Sequence, residues 1–252
     1  MKIVILGSGS GMPSAERRCS AIWVGSGSRA FLIDAGEGAA QQIVRMKLDP
    51  NEVEAIFITH MHPDHASGLF MLLQFMNLSG RTHALSIFIP HGVFPGFSTV
   101  LPYFQIFEKK WPFSMEFHPL SGNRNVSIDD FMLLPVGNDH LAGNQAEARS
   151  HSLGCDSYSF LFSDGNSGSV LYTSDIPDFN RLENPSAKID LLISECTHVS
   201  LESIFGFCRR HGIPKLVLTH ISSIPSSAPC PGVDDGADIQ YRWAMDGTIL
   251  EA

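Results

Sequence analysis

AIFITHMHPDHASG, residues 55–68, joins a short apolar run to a dense group of metal-capable side chains, His60, His62, Asp64 and His65. The run AIFITH is brief, rich in β-branched residues and followed by Pro63, which reads as a buried strand rather than as helix. Ala66 to Leu78 then carries apolar residues at helical spacing. A strand leading into a polar loop and a helix is the local layout of an α/β fold, in which sites gather where strands end. Buried imidazoles without partners are costly, so this cluster predicts a bound cation. Imidazole and carboxylate are the donors of zinc, manganese or iron at hydrolytic centres, and the missing thiolates exclude a structural zinc finger.

Working outward, strand-like runs recur at residues 2–7, 20–25, 30–34, 85–90, 114–120, 131–136, 157–162, 169–175, 190–195, 215–220 and 240–251. Helical spacing covers Glu37–Leu48 and Ser200–His211, the second ending at Gly212, a C-terminal glycine signal. Residues 94–112 predict a further helix broken at Pro102, and 222–236 form a long turn-rich loop. Two strand-rich halves, 1–122 and 123–252, each with helices for one outer face, predict one αβ/βα four-layer domain spanning 1–252. Four runs end on metal-capable or polar residues, His60, Asp175, Glu195 and His220, which implies a single site at one sheet edge.

The chain holds 252 residues with 44% hydrophobic content and a net charge of -9. It can bury a large core, and the acidic balance argues against a broad phosphate-binding surface. Five scattered cysteines without a C-x-x-C pair read as reduced thiols, which points to the cytoplasm. No run approaches the roughly 18 apolar residues of a membrane span, and the N-terminal apolar run is too short for a signal peptide. Gly7-Ser-Gly9-Ser-Gly11 after a strand resembles a dinucleotide loop only superficially, because the last glycine is displaced and Met12-Pro13 follows. It reads instead as a glycine turn beside the metal cleft.

Taken together, GSGSGMP (7–13), LIDAGEGAAQQI (32–43), THMHPDHASG (59–68), SHSLGCDSYSF (150–160), LYTSD (171–175), ISECTHVS (193–200) and LVLTHIS (216–222) resemble the metallo-β-lactamase superfamily, ribonuclease Z-like phosphodiesterase branch. The resemblance implies two divalent metal ions, zinc first and manganese or iron as alternatives. It implies His60, His62 and His151 on the first, and Asp64, His65 and His220 on the second, with Asp175 bridging. From the sequence alone His140 rivals His151 as the third ligand of the first metal. The resemblance further gives Asp64 a part in orienting the attacking water and makes His198 a catalytic histidine at the phosphate and leaving oxygen. Asp34, Glu37 and Glu195 would support these groups from behind. The implied partners are a phosphodiester substrate, nucleotide or RNA, and a second copy of the chain, with no membrane.

The chain departs from transfer-RNA-processing members of that branch. Only SDGNSG (163–168) stands where they carry a long arm, and their histidine-glutamate-alanine-threonine box reads Ser194-Glu195-Cys196-Thr197. The expected activity is thus phosphodiester hydrolysis, small or cyclic nucleotide diesters being favoured over structured RNA. Hydrolysis of a lactone, thioester or sulfate ester is the alternative, with a di-iron redox or metal-binding role behind it.

Overall fold

The structure is a computed structural model, and it describes residues 1–222 and 239–252. The first sheet has the order β14 (Thr248–Glu251), β1 (Lys2–Gly7), β2 (Ala21–Ser26), β3 (Arg29–Ile33), β4 (Val53–Phe57), β5 (Leu85–Pro90), β6 (Met115–Leu120). The second runs β13 (Gln240–Trp243), β12 (Lys215–Thr219), β11 (Leu191–Glu195), β10 (Val170–Tyr172), β9 (Ser157–Ser163), β8 (Phe131–Asn138), β7 (Val126–Ile128). Each sheet changes from antiparallel to parallel pairing part-way across, at β3–β4 in one and β10–β11 in the other. The parallel strands therefore finish on a common edge.

Side-chain alternation along the strands builds the layers. Ile3, Ile5, Phe31 and Ile33 point between the sheets and meet Phe131, Phe160, Phe162 and Ile193 from the other one. Phe31 stacks on Phe131 with ring centroids 3.9 Å apart. Val4, Leu6, Ala30 and Leu32 face outward beneath α1 (Ala39–Arg45) and α3 (Leu69–Leu78), the latter separated from α2 (Pro63–Ala66) by Ser67-Gly68. Leu161, Leu171, Leu192 and Leu216 face outward on the second sheet and pack with Ile204, Phe205 and Phe207 of α6 (Leu201–His211). Two mixed sheets face to face with helices outside are the expected four layers. Helix α6 begins at Ser200, whose side chain accepts from Ser203 N–H, and stops at Gly212 in the left-handed conformation the sequence signal predicts.

Several elements differ from the sequence reading. Residues 94–112 form α4 (Phe94–Phe97) and two 3-10 turns, because Pro95 and Pro102 both start helical segments that the following backbone does not extend. Residues 240–251 are two strands, not one: Gly247, at φ 88, turns the chain so that β13 joins the second sheet and β14 the first. A short helix, α5 (Gln145–Ser150), occupies what the sequence leaves as loop. Most of the predicted turn-rich loop 222–236 lies outside the described residues.

Candidate metal centre

Strand ends deliver the polar groups to one edge. His60 follows β4, His140 follows β8, Asp175 follows β10, His198 follows β11 and His220 follows β12. Their donor atoms form two groups. In the first, His60, His62, His140 and Asp175 each bring one donor atom within 4.8 Å of the others, and in the second Asp64, His65, Asp175 and His220 do so. Asp175 belongs to both. A tetrahedral zinc with bonds of about 2.0–2.1 Å separates its ligands by about 3.4 Å. His65 Nε2 lies 3.2 Å from Asp175 Oδ1, His220 Nε2 3.3 Å from Asp175 Oδ2, and His140 Nε2 3.2 Å from His62 Nδ1.

Hydrogen bonding behind the rings decides which nitrogen faces the centre. The Asp34 carboxylate can only accept, and it lies 2.9 Å from the Thr59 hydroxyl, which therefore spends its single proton there. That hydroxyl then accepts from Ser174 Oγ and from His60 Nδ1, leaving His60 Nε2 bare. Asp34 likewise accepts from His65 Nδ1 at 2.8 Å, and Ser20 Oγ sits 3.1 Å from His220 Nδ1. Among the described residues, buried His60 Nε2, His65 Nε2 and Asp175 Oδ1 have no hydrogen-bond partner. Orphaned buried acceptors converging on one space fit a divalent cation.

Protonation tells the same story. Burial pushes His60, His140 and His220 below the ordinary imidazole range, which keeps them in the neutral form a metal requires. Burial opposes charge on His65 too, but the carboxylates of Asp175 and Asp34 outweigh it and raise its pKa well above normal. Burial alone would raise Asp175; the surrounding histidines, His65 foremost, hold it well below the carboxylate range. Those carboxylates would favour a proton on His65 in the metal-free protein, and a bound cation would take the place of that charge.

The site differs from expectation at two positions. His151 caps the C-terminus of α5, is 66% exposed at its side chain and pairs with Glu147 Oε1 at 3.3 Å. It stands outside both groups, and His140 takes the place expected of it, because β8 extends to Asn138 and aims the next loop at the centre. Glu37 is exposed, and what it contributes to the loops is its backbone carbonyl, which accepts from Cys19 N–H. Asp34 and Glu195 are fully buried as supports. Glu195 accepts from the backbone N–H of Thr197 and His198 and lies 3.2 Å from His198 Nδ1. The hydrogen bond to Glu195, against some burial, raises the His198 pKa. His198 Nδ1 is 3.9 Å from Asp175 Oδ2, which puts its ring at the rim of the centre.

Sequence reasoning missed Thr59, Ser174, Ser20 and Tyr172. The Tyr172 hydroxyl is buried 3.4 Å from Asp34 Oδ2, yet its apolar surroundings in the strand made it read as core. Asp34, Ser174 and His220 all take left-handed φ values, 58°, 52° and 55°. Such values are uncommon outside glycine and cluster at functional sites.

Two seven-stranded mixed sheets, outer helices and a shared-carboxylate His/Asp centre define a metallo-β-lactamase-fold protein, and its sequence relatives put it in the ribonuclease Z-like branch. Ribonuclease Z of Prochlorococcus marinus (strain MIT 9313) is 27% identical over 91% of this chain and 88% of its own length. The metallo-β-lactamase fold protein YhfI from Bacillus subtilis superposes with a TM-score of 0.78 at 18% identity, covering 100% of this chain and 98% of its own. Human tRNase Z, short form, gives 0.76 at 19% identity, covering 100% and 99%. The chain belongs to the family described as Anti-Pycsar protein Apyc1, whose pattern matches residues 1–204.

Proposed function

We propose that the protein is a dinuclear metal-dependent phosphodiesterase acting on small nucleotide diesters, linear or cyclic. The observation that carries this is Asp175, a single buried carboxylate shared by two donor groups. His60, His62, His140 and Asp175 would hold one divalent cation, and Asp64, His65, His220 and Asp175 the other. Bound cations would acidify a water and offset the charge that builds on a phosphoryl oxygen. Zinc is the ion that imidazole and carboxylate donors at these separations favour, with manganese or iron able to replace it.

The chain's own residues do the rest. Asp64, part-exposed at the edge of the second group, is placed to accept a hydrogen bond from the attacking water and orient it. His198 points Nδ1 at Glu195, so Nε2 is the nitrogen left to give a proton to the departing oxygen. Its raised pKa keeps that proton available closer to neutrality. Size selection is supported by the tight connection between β9 and β10, which leaves no extended arm at that point to grip a large folded RNA. The net charge of -9 points the same way.

Zinc- or manganese-loaded protein is expected to cleave bis(p-nitrophenyl) phosphate and nucleotide diesters, and to leave precursor transfer RNA intact. Loss of cleavage in Asp175→Ala and a fall of about a hundredfold or more in His198→Ala are expected. A loaded protein that is inert toward diesters but turns over a thioester or lactone would overturn the phosphodiester reading. We also propose a homodimer in the cytoplasm. The apolar patch around Tyr103, 86% exposed, and Phe104, 53% exposed, supports a second copy as partner. Light scattering on Tyr103→Ser/Phe104→Ser should then report monomer. Among the described residues no helix is long and apolar enough to cross a membrane.

A further inference from the structure

The glycine loop after β1 touches the second donor group at both ends. An added Cβ at Gly11 would come 3.2 Å from Asp64 Oδ2 and 3.3 Å from its carboxyl carbon, so this backbone forms a wall against the carboxylate. Ser8 C=O accepts from Ile221 N–H, beside His220, and Ser20, at the far end of the segment, meets the His220 ring. Asp64 and His220 are two of the three ligands that belong to the second group alone.

What fixes this loop comes from the turn between β13 and β14. Asp246 Oδ1 accepts from both Ser8 N–H and Ser8 Oγ–H, at 2.9 and 2.8 Å, and its Oδ2 accepts from Arg18 N–H at 2.7 Å. The two strands of the loop are closed on each other by Gly9 N–H donating to Arg18 C=O at 2.8 Å. Arg17 completes the knot, donating to Ser8 Oγ and to the Ala244 carbonyl. One carboxylate thus gathers three donors from both strands of a loop that has glycine at positions 7, 9 and 11.

We infer that Asp246 is a positioning residue for the second metal ion. It acts through the glycine loop on Asp64 and His220 and leaves the first group, His60, His62 and His140, untouched. This rests on the metal reading of the two donor groups. Asp246 lies beyond residue 204, where the family match ends.

Two backgrounds isolate the groups, His140→Ala leaving the second intact and His220→Ala leaving the first. Zinc affinity is measured in each by competition with a chromophoric chelator. Asp246→Ala should weaken binding about ten- to hundredfold in the His140→Ala background, as loss of outer support does elsewhere, and not at all in the His220→Ala background. Equal affinity with and without Asp246 in the first background overturns the proposal, and so does equal loss in both, which would mean general destabilisation. If Asp246→Ala does not fold by circular dichroism, Asp246→Asn decides: it keeps the Oδ1 acceptor for Ser8, opposes Arg18 N–H with an NH2, and should show the same selectivity at smaller size. Gly11→Ala should reproduce the pattern from the other end, since its added methyl presses on Asp64. Wild-type protein that takes up no zinc would overturn the metal reading itself, a result separate from an unaltered Asp246 variant.

Discussion

Asp34→Asn changes one buried oxygen to an NH2 and is expected to move a proton across the His65 ring. Oδ1 accepts from Thr59 N–H and Oγ–H, at 2.8 and 2.9 Å, while Oδ2 accepts from His65 Nδ1 at 2.8 Å and Tyr172 at 3.4 Å. An amide has a single oxygen to offer. Turned toward His65, it leaves Thr59 N–H facing another donor, a buried unpaired group that costs about 1–3 kcal/mol. Turned toward Thr59, its NH2 faces His65 Nδ1, and the neutral ring avoids the clash by carrying its proton on Nε2. Nε2 is the atom aimed at Asp175, so that tautomer cannot hold a metal. The left-handed φ of 58° suits asparagine, so the backbone adds no new penalty.

Either orientation has a readout. The melting temperature should fall by about 2–12 °C if Thr59 is stranded, taking about 2–4 °C per kcal/mol for a chain of this size. Second-site zinc affinity should fall about ten- to hundredfold if His65 changes tautomer. Imidazole nitrogen NMR on the metal-free protein, above the titration of His65, distinguishes the two. Wild-type zinc affinity with the proton still on Nδ1 and an unchanged melting temperature would refute the reasoning.

Three further outcomes are expected. His140→Ala should lose one of two bound zinc ions by metal analysis while His151→Ala keeps both, the reverse pattern restoring His151 as the ligand. Glu195→Gln removes the main cause of the raised His198 pKa, and a proton donor is lost as pH climbs through its pKa. The basic limb of the cleavage profile should therefore shift to lower pH and kcat should drop about tenfold or more, with little change in KM. Phe131→Ala removes a ring stacked 3.9 Å from Phe31 between the sheets and should cost about 3–5 kcal/mol in chemical denaturation, leaving metal content unchanged.

The fold was legible wherever burial imposes a regular period. The runs at 2–7, 85–90 and 215–220 become strands almost residue for residue, since alternating faces feed two cores at once. Asp175 and His220 could be read because parallel strands end together. His140 and His151 could not be separated, because spacing along the chain says nothing about which loop α5 will turn outward. Asp246 was invisible for a different reason: its partners Ser8 and Arg18 lie 238 and 228 positions away, and a lone aspartate before glycine looks like any turn.

The left-handed backbone at Asp34, Ser174 and His220 bears on where the enzyme obtains its ion. At Asp34 the bend is held by the sheets, its N–H donating to the Phe57 carbonyl and its carboxylate accepting from Tyr172 of the opposite layer. The backbone around this support is therefore set by strand pairing, and loading the site is expected to require no separate folding step. Nitrogen and oxygen donors bind divalent ions in an intrinsic order, copper and zinc ahead of iron and manganese, with site geometry and metal availability deciding among them. The ion recovered with the protein is therefore expected to depend on the metal supply of the cell that made it as well as on the donors. Activities compared between preparations acquire meaning only after stripping and controlled reloading.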